Sequence, residues 1–165
     1  MFREMRRSRQ ALPQADCEAV LLRGTNGVLA LAGEGGYPYA VPLSYVYAGG
    51  KIYFHCAKSG HKLDALRRDP RVSFCVVDQD EVVPEEYTTY FRSVIVFGHL
   101  RELEDDAEKL AAIERLAQKY CPAGTPEDHK REIDGAWPRL ALLELEIEHM
   151  TGKEAKELLK DRPTA

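Results

Sequence analysis

The chain has little that would mark it as secreted, membrane-spanning or strongly basic. Its four cysteines, Cys17, Cys56, Cys75 and Cys121, are scattered with no CxxC pair. That spacing suggests neither a disulfide framework nor a zinc knuckle, and free thiols suit a reducing cytoplasm. No apolar run approaches the roughly 20 residues that cross a bilayer. The start is locally basic at Arg3, Arg6, Arg7 and Arg9 but lacks the apolar stretch of a secretory signal. A net charge of −4 gives no global basic field to draw in nucleic acid. The arginine patch alone, without a reading element, offers little for DNA, so neither nucleic acid nor membrane is expected as a partner. Also missing are GxxxxGK followed by Ser or Thr, a GxGxxG opening a helix, HExxH and GxSxG, which removes the usual signatures of nucleotide hydrolysis, Rossmann binding, zinc hydrolysis and serine catalysis.

What is there fits one ordinary domain spanning residues 1–165, with 44% hydrophobic and 30% charged residues. Residues 13–23 set Leu12, Cys17, Val20 and Leu21 near one face, which predicts a short first helix. The pattern then turns to β. Runs at residues 28–32, 39–47 and 51–56 are separated by glycine-rich breaks and read as three consecutive strands of a meander. Pro38 and Pro42 cannot donate ladder hydrogen bonds, so the middle strand must lie at a bulge or an open edge, where backbone groups stay free for a ligand. Residues 59–70 read as a helix with Ser59 as N-cap and Pro70 just past its end. Strands follow at 71–78 and 87–100, the second long enough to require a bend or bulge. An amphipathic helix covers 105–120, a polar one lies near 127–133, and a last strand at 140–148 alternates Leu143, Leu145 and Ile147 with glutamates. The tail reads as helical near Leu158 and frayed beyond. Six or so strands with interposed helices do not fit a doubly wound parallel sheet; a mainly β, six-stranded antiparallel barrel with peripheral helices fits better.

Candidate chemistry concentrates between the third strand and the second helix. Lys58, Ser59, His61 and Lys62 set two ammonium groups, a hydroxyl and an imidazole around the free N–H groups of a helix start, a physically sound anion site. Taken alone, such a stretch is more often an ordinary cap with exposed lysines. His55 and Cys56 end the strand just before it, and a histidine there is more often a hydrogen-bonded structural residue than a catalyst. The five histidines lack metal-ligand spacing, and the acidic stretch of Asp78, Asp80, Glu81, Glu85 and Glu86 reads as a solvated loop, so no metal is expected.

The succession Tyr37-Pro38-Tyr39-Ala40-Val41-Pro42-Leu43-Ser44-Tyr45, then Ile52-Tyr53-Phe54-His55-Cys56-Ala57-Lys58-Ser59-Gly60-His61-Lys62, then Glu85-Glu86-Tyr87-Thr88-Thr89-Tyr90-Phe91-Arg92-Ser93-Val94, resembles the FMN-binding split barrels related to pyridoxamine 5′-phosphate oxidase. Within them it is most similar to the nitroimidazole-resistance (Nim) branch, and the likeness runs from Met1 to Ala155. The resemblance implies a six-stranded split barrel and a homodimer with FMN at the subunit interface. It places Tyr39, Ala40, Val41, Pro42, Leu43 and Ser44 along the isoalloxazine, His55 and Cys56 near the flavin and ribityl chain, and Lys58, Ser59, His61 and Lys62 at the phosphate. Ser93 would reach the flavin from the other subunit, and Tyr90, Phe91 and Val94 would contribute to the interface. Two departures stand out. His61 replaces an arginine, and Ser93 replaces a longer glutamine; both bear on FMN binding and on pocket size.

The Arg- and Trp-rich segment that reads pyridoxal phosphate at the oxidase C-terminus is not seen, and Glu146 to Lys153 stands there instead. The resemblance therefore implies an FMN-dependent oxidoreductase that reduces the nitro group of a 5-nitroimidazole-like small molecule, with His55 as the catalytic residue. The alternatives are a flavin-binding or sensing module without nitroreductase activity and an oxidase-like enzyme with another substrate.

Overall fold

The computed structural model describes residues 2–161. Met1 and residues 162–165, where the frayed end of the tail was expected, lie outside the described residues. Among the described residues seven strands form one antiparallel sheet in the order β2-β1-β5-β6-β7-β4-β3. The strands are β1 (Asn26–Ala32), β2 (Pro38–Ser44), β3 (Val46–Ala48), β4 (Lys51–Ala57), β5 (Arg71–Val83), β6 (Thr88–Glu102) and β7 (Leu140–Glu154). Four helices accompany them: α1 (Gln14–Arg23), α2 (His61–Arg68), α3 (Asp106–Tyr120) and α4 (Pro126–Ala136). No helix among the described residues is long and apolar enough to cross a membrane.

The sheet curls so that its two ends, β2 and β3-β4, approach each other without forming a ladder. Tyr39, Val41 and Leu43 of β2 pack on the same core as Ile52 and Phe54 of β4, and this shared core closes the curl. The result is a split barrel with one more strand than expected. The extra strand arises at Tyr45, where the expected 39–47 run breaks in two. Tyr45 is fully buried. Its N–H donates to the Tyr120 hydroxyl at 2.8 Å, and its carbonyl accepts from Lys119 Nζ at 2.9 Å. Those bonds replace the ladder at this point, so the chain turns and β3 pairs with β4 instead. The expected meander is accordingly corrected: β1 and β2 form a hairpin, but β4 pairs with β3 and β7, on the far side of the split.

β2 pairs with β1 alone, which is the open edge that Pro38 and Pro42 required. The bend expected in β6 is produced by its neighbours. Asp78 is an extra residue on β5 and Glu148 an extra residue on β7, each shifting register against β6. At the second bulge only glycine fits, because a Cβ on Gly98 would lie 1.9 Å from the Glu146 carbonyl oxygen. The acidic stretch is not a loop: Asp78, Asp80 and Glu81 lie on β5, and Glu85 and Glu86 lie in a 3-10 turn at the hairpin tip.

Asp78 at its bulge accepts from Arg23 at 2.6 Å and from Arg92 at 3.2 Å, and Arg92 also reaches buried Glu154 at 2.9 Å. Burial alone would raise the Asp78 pKa, but the two guanidinium groups outweigh it and hold the carboxyl below its ordinary value. α1 is thereby fastened to β5, β6 and the end of β7. A second core joins Leu103, Ala112 and Leu116 to Val46, Tyr53, Leu140 and Leu142, which seats α3 on β3, β4 and β7. α4 begins with a capping box between Thr125 and Asp128 and buries Ile133.

Candidate functional site

The split brings β2, the end of β4 and the start of α2 to one side of the barrel, with Tyr39 against His61 and Ser44 near His55. On β2 the pleat alternates: Tyr39, Val41 and Leu43 turn inward and are half-buried, whereas Ala40, Pro42 and Ser44 face out. A ligand lying along this edge therefore meets small side chains and unpaired backbone. On β4, His55 projects outward and Cys56 is half-buried. Burial and the nearby Lys62 ammonium both push the His55 pKa below its ordinary 6.5, which keeps the imidazole neutral at pH 7. Burial pushes the Cys56 thiol up despite Lys62, so it stays protonated and is not a nucleophile at neutral pH.

α2 starts at His61, one residue later than the sequence suggested, and its N-cap is Gly60 rather than Ser59. Gly60 adopts φ 129°, a conformation open to glycine, and no side chain caps the helix. Ser59 is displaced from the cap because the chain turns at Gly60. The His61 and Lys62 N–H groups that open α2 thus have no capping side chain, with exposed Lys58 and half-buried Lys62 beside them. His61 stacks on Tyr39 with ring centroids 4.0 Å apart, so the residue in the arginine position braces β2 against α2.

Ser93 is not brought to this groove. It faces outward on β6 opposite Lys153, whereas His55 lies opposite Leu142. Those partners are eleven positions apart along β7, about 35 Å of extended strand. Val94, expected at an interface, is fully buried in the chain's own core and cannot serve there. The outward residues beside it, Val77, Ile95 and Phe97, are the exposed apolar ones, at 63%, 39% and 37%. Phe91 lies under the Lys153 ammonium, and Tyr90 donates to Glu86.

Next to the groove, a cavity of about 620 Å³ opens between the barrel end and the α3-α4 pair, and Ser44 and His55 line both. The α4 wall carries no local signal in the sequence, where Ile133 stands among charges in what reads as a polar helix. Lys119 and Tyr120, which end α3 and bind the backbone at Thr25 and Tyr45, likewise carry none.

Residues 13–154 match the family described as pyridoxamine 5′-phosphate oxidase. The chain belongs to that family. Solved structures share its fold over nearly all their length. A conserved hypothetical protein of Mycobacterium tuberculosis, Rv2991, aligns over 98% of this chain and 96% of its own, at 21% identity and a TM-score of 0.81. A candidate 5-nitroimidazole antibiotic resistance protein of Bacteroides thetaiotaomicron aligns over 87% and 86%, at 20% identity and a TM-score of 0.73. An FAD-binding protein of Mesorhizobium loti aligns over 88% and 97%, at 26% identity and a TM-score of 0.66. No curated protein is significantly similar to the chain. As a member of the pyridoxamine 5′-phosphate oxidase family, the chain carries the split barrel, with the α3-α4 pair set against the groove.

Proposed function

We propose that the protein is a cytoplasmic FMN-dependent oxidoreductase that reduces the nitro group of a small 5-nitroimidazole-like acceptor, and that it works as a homodimer. One observation carries the reading: the open edge of β2, the uncapped start of α2 with its two lysines, and His55 meet in one groove at the split. The residues present fit a flavin. Lys58 and Lys62 with the first N–H groups of α2 would hold its phosphate, and FMN, with a single phosphate, suits so small a cradle. Ala40, Pro42 and Ser44 leave the edge of β2 low enough for a flat ring to approach the backbone. When bound and reduced, the flavin supplies a hydride equivalent.

Conversion of a nitro group to a nitroso group consumes two electrons and two protons and releases water, so the acceptor needs a proton source beside it. His55, neutral and lining the groove, is the group placed to hold the acceptor and relay a proton to it. Lys62 serves a second purpose there, since its charge adds to burial in keeping the imidazole neutral. The half-exposed apolar face of Val77, Ile95 and Phe97 supports pairing with a second copy, which would bring in the partner's Ser93.

The test is His55→Ala. Purified protein is expected to be yellow or to take up FMN, its reduced form is expected to be reoxidised anaerobically by a 5-nitroimidazole, and His55→Ala is expected to keep FMN while losing most of that rate. Unchanged turnover at normal FMN content removes His55 from the chemistry. A colourless protein that takes up no added flavin removes the flavin reading altogether.

A further inference from the structure

The cavity between the barrel end and the α3-α4 pair has a charge character opposite to that of the groove it joins. Its walls are apolar, from Ile113, Leu116 and Ala117 of α3 and from Ile133 and Ala136 of α4. Its charged lining is Asp128 and Glu132, its remaining titratable lining includes His55 and His129, and among the described residues no lysine or arginine lines it. Both acids keep their charge available to the cavity only in part. Asp128 closes the capping box and pairs with Arg131 at 2.7 Å, whereas Glu132 meets Arg131 only at 3.9 Å. His129 is tied by Nε2 to the Cys121 carbonyl at 2.9 Å, which orients its ring against the Gly124 loop. The two lysines of the site stand at and just before the start of α2 and do not line the cavity, although the Lys62 charge reaches His55 at the junction.

We infer that this cavity is the acceptor pocket of the proposed flavin site, and that it takes flat, uncharged or cationic heteroaromatic rings and rejects phosphorylated or carboxylated ones. The inference rests on the flavin reading through Ser44 and His55, which belong to both spaces. Three features set the class. A volume of about 620 Å³ is that of a small-molecule pocket. Apolar walls on two facing helices suit the faces of an aromatic ring. Two carboxylates, with no lysine or arginine in the lining and only Arg131 paired to them from outside it, disfavour an anion, and the phosphate cradle at the start of α2 separates where a cofactor's charge sits from where an acceptor's ring sits. Glu132 is the specificity-determining residue for charge, and Ala136, whose side chain is the smallest on the α4 wall, sets the room for the ring.

The experiment titrates the FMN-loaded protein with three probes: a 5-nitroimidazole, para-nitrobenzoate and pyridoxamine 5′-phosphate. Binding is read from the flavin absorbance and from the methyl resonances of Ile113 and Ile133. The neutral ring is expected to bind at least about tenfold tighter than either anion, with both methyl signals shifting. Ala136→Phe is expected to weaken it about tenfold with FMN affinity unchanged, and the surface change Glu132→Lys to bring para-nitrobenzoate within about twofold of it. Still methyls at saturating neutral ring, or both variants binding all three probes as the wild type does, overturn the inference. If the protein takes up no flavin, the flavin reading fails by that fact, and the same methyl titration on the flavin-free chain decides the pocket by itself.

Discussion

Tyr120→Phe isolates the contact that breaks β2 from β3. The Tyr120 hydroxyl accepts from the Tyr45 N–H at 2.8 Å and lies within bonding distance of the Tyr45 and Thr25 carbonyls. A phenol has one proton, and the Tyr45 carbonyl already accepts from Lys119 Nζ at 2.9 Å, so the proton belongs to Thr25. Removing the oxygen deletes that donated bond, a net loss of about 1 kcal/mol, and strands the N–H of a fully buried residue, which adds about 1–3 kcal/mol. Tyr120 is 38% exposed, so water can partly replace the lost oxygen and the lower half of that range applies. The expected cost is about 2–3 kcal/mol, or a fall in Tm of about 4–12 °C for a domain of this size. Calorimetry with a parallel urea titration reads both, and the urea m-value is expected to stay constant. FMN affinity is expected to fall too, because Ser44 immediately precedes the loosened residue. A Tm within about 2 °C of wild type would show that the break at Tyr45 is made by the core and not by these hydrogen bonds.

The other expectations are shorter. Lys58→Gln and Lys62→Gln should each weaken FMN binding about tenfold at low ionic strength. The gap should narrow as salt rises, and equilibrium dialysis at two salt concentrations checks it. Val77→Asp combined with Ile95→Asp should release monomer and FMN together in sedimentation velocity at the flavin wavelength; a monomer that keeps its flavin refutes the shared-site dimer. Burial alone would raise the Glu144 pKa, but hydrogen bonds from Lys51 and Arg101 at 2.9 Å outweigh it and hold it below 4.5. Its folded pKa is depressed, so its contribution is complete above that ordinary value and disappears as pH falls through the folded one. Glu144→Gln should flatten this acid limb of urea stability and lower stability at pH 7.

The order of strands and helices was legible because each is punctuated by glycine, proline or a cap and carries its own periodicity. Pro42 announced an open edge, and Asp105, which caps α3 through the Glu108 N–H, announced the start of that helix. Long-range relations were not legible. Nothing local in residues 39–47 says that Tyr45 is held by side chains some 75 positions away, and so one strand was expected where there are two. Val94 was placed at an interface by the resemblance, and alternation could not correct it, because it gives two faces but not which of them is inside. The basic half of the site could be found from Lys58 to Lys62, since its parts are contiguous. The α4 wall could not, because its link to Ser44 and His55 exists only after the sheet has curled.

The prolines of β2 carry one more consequence. In a ladder, a proline is tolerated where its nitrogen points to the open side, and Pro38 and Pro42, four residues apart on one strand, point the same way. The free rim of the barrel therefore keeps backbone donors at Ala40 and Ser44 and is mute between them. An extended peptide seeking to add a strand would find alternate carbonyls unanswered, so the rim resists edge-to-edge aggregation while remaining open to a ligand that needs only one or two bonds.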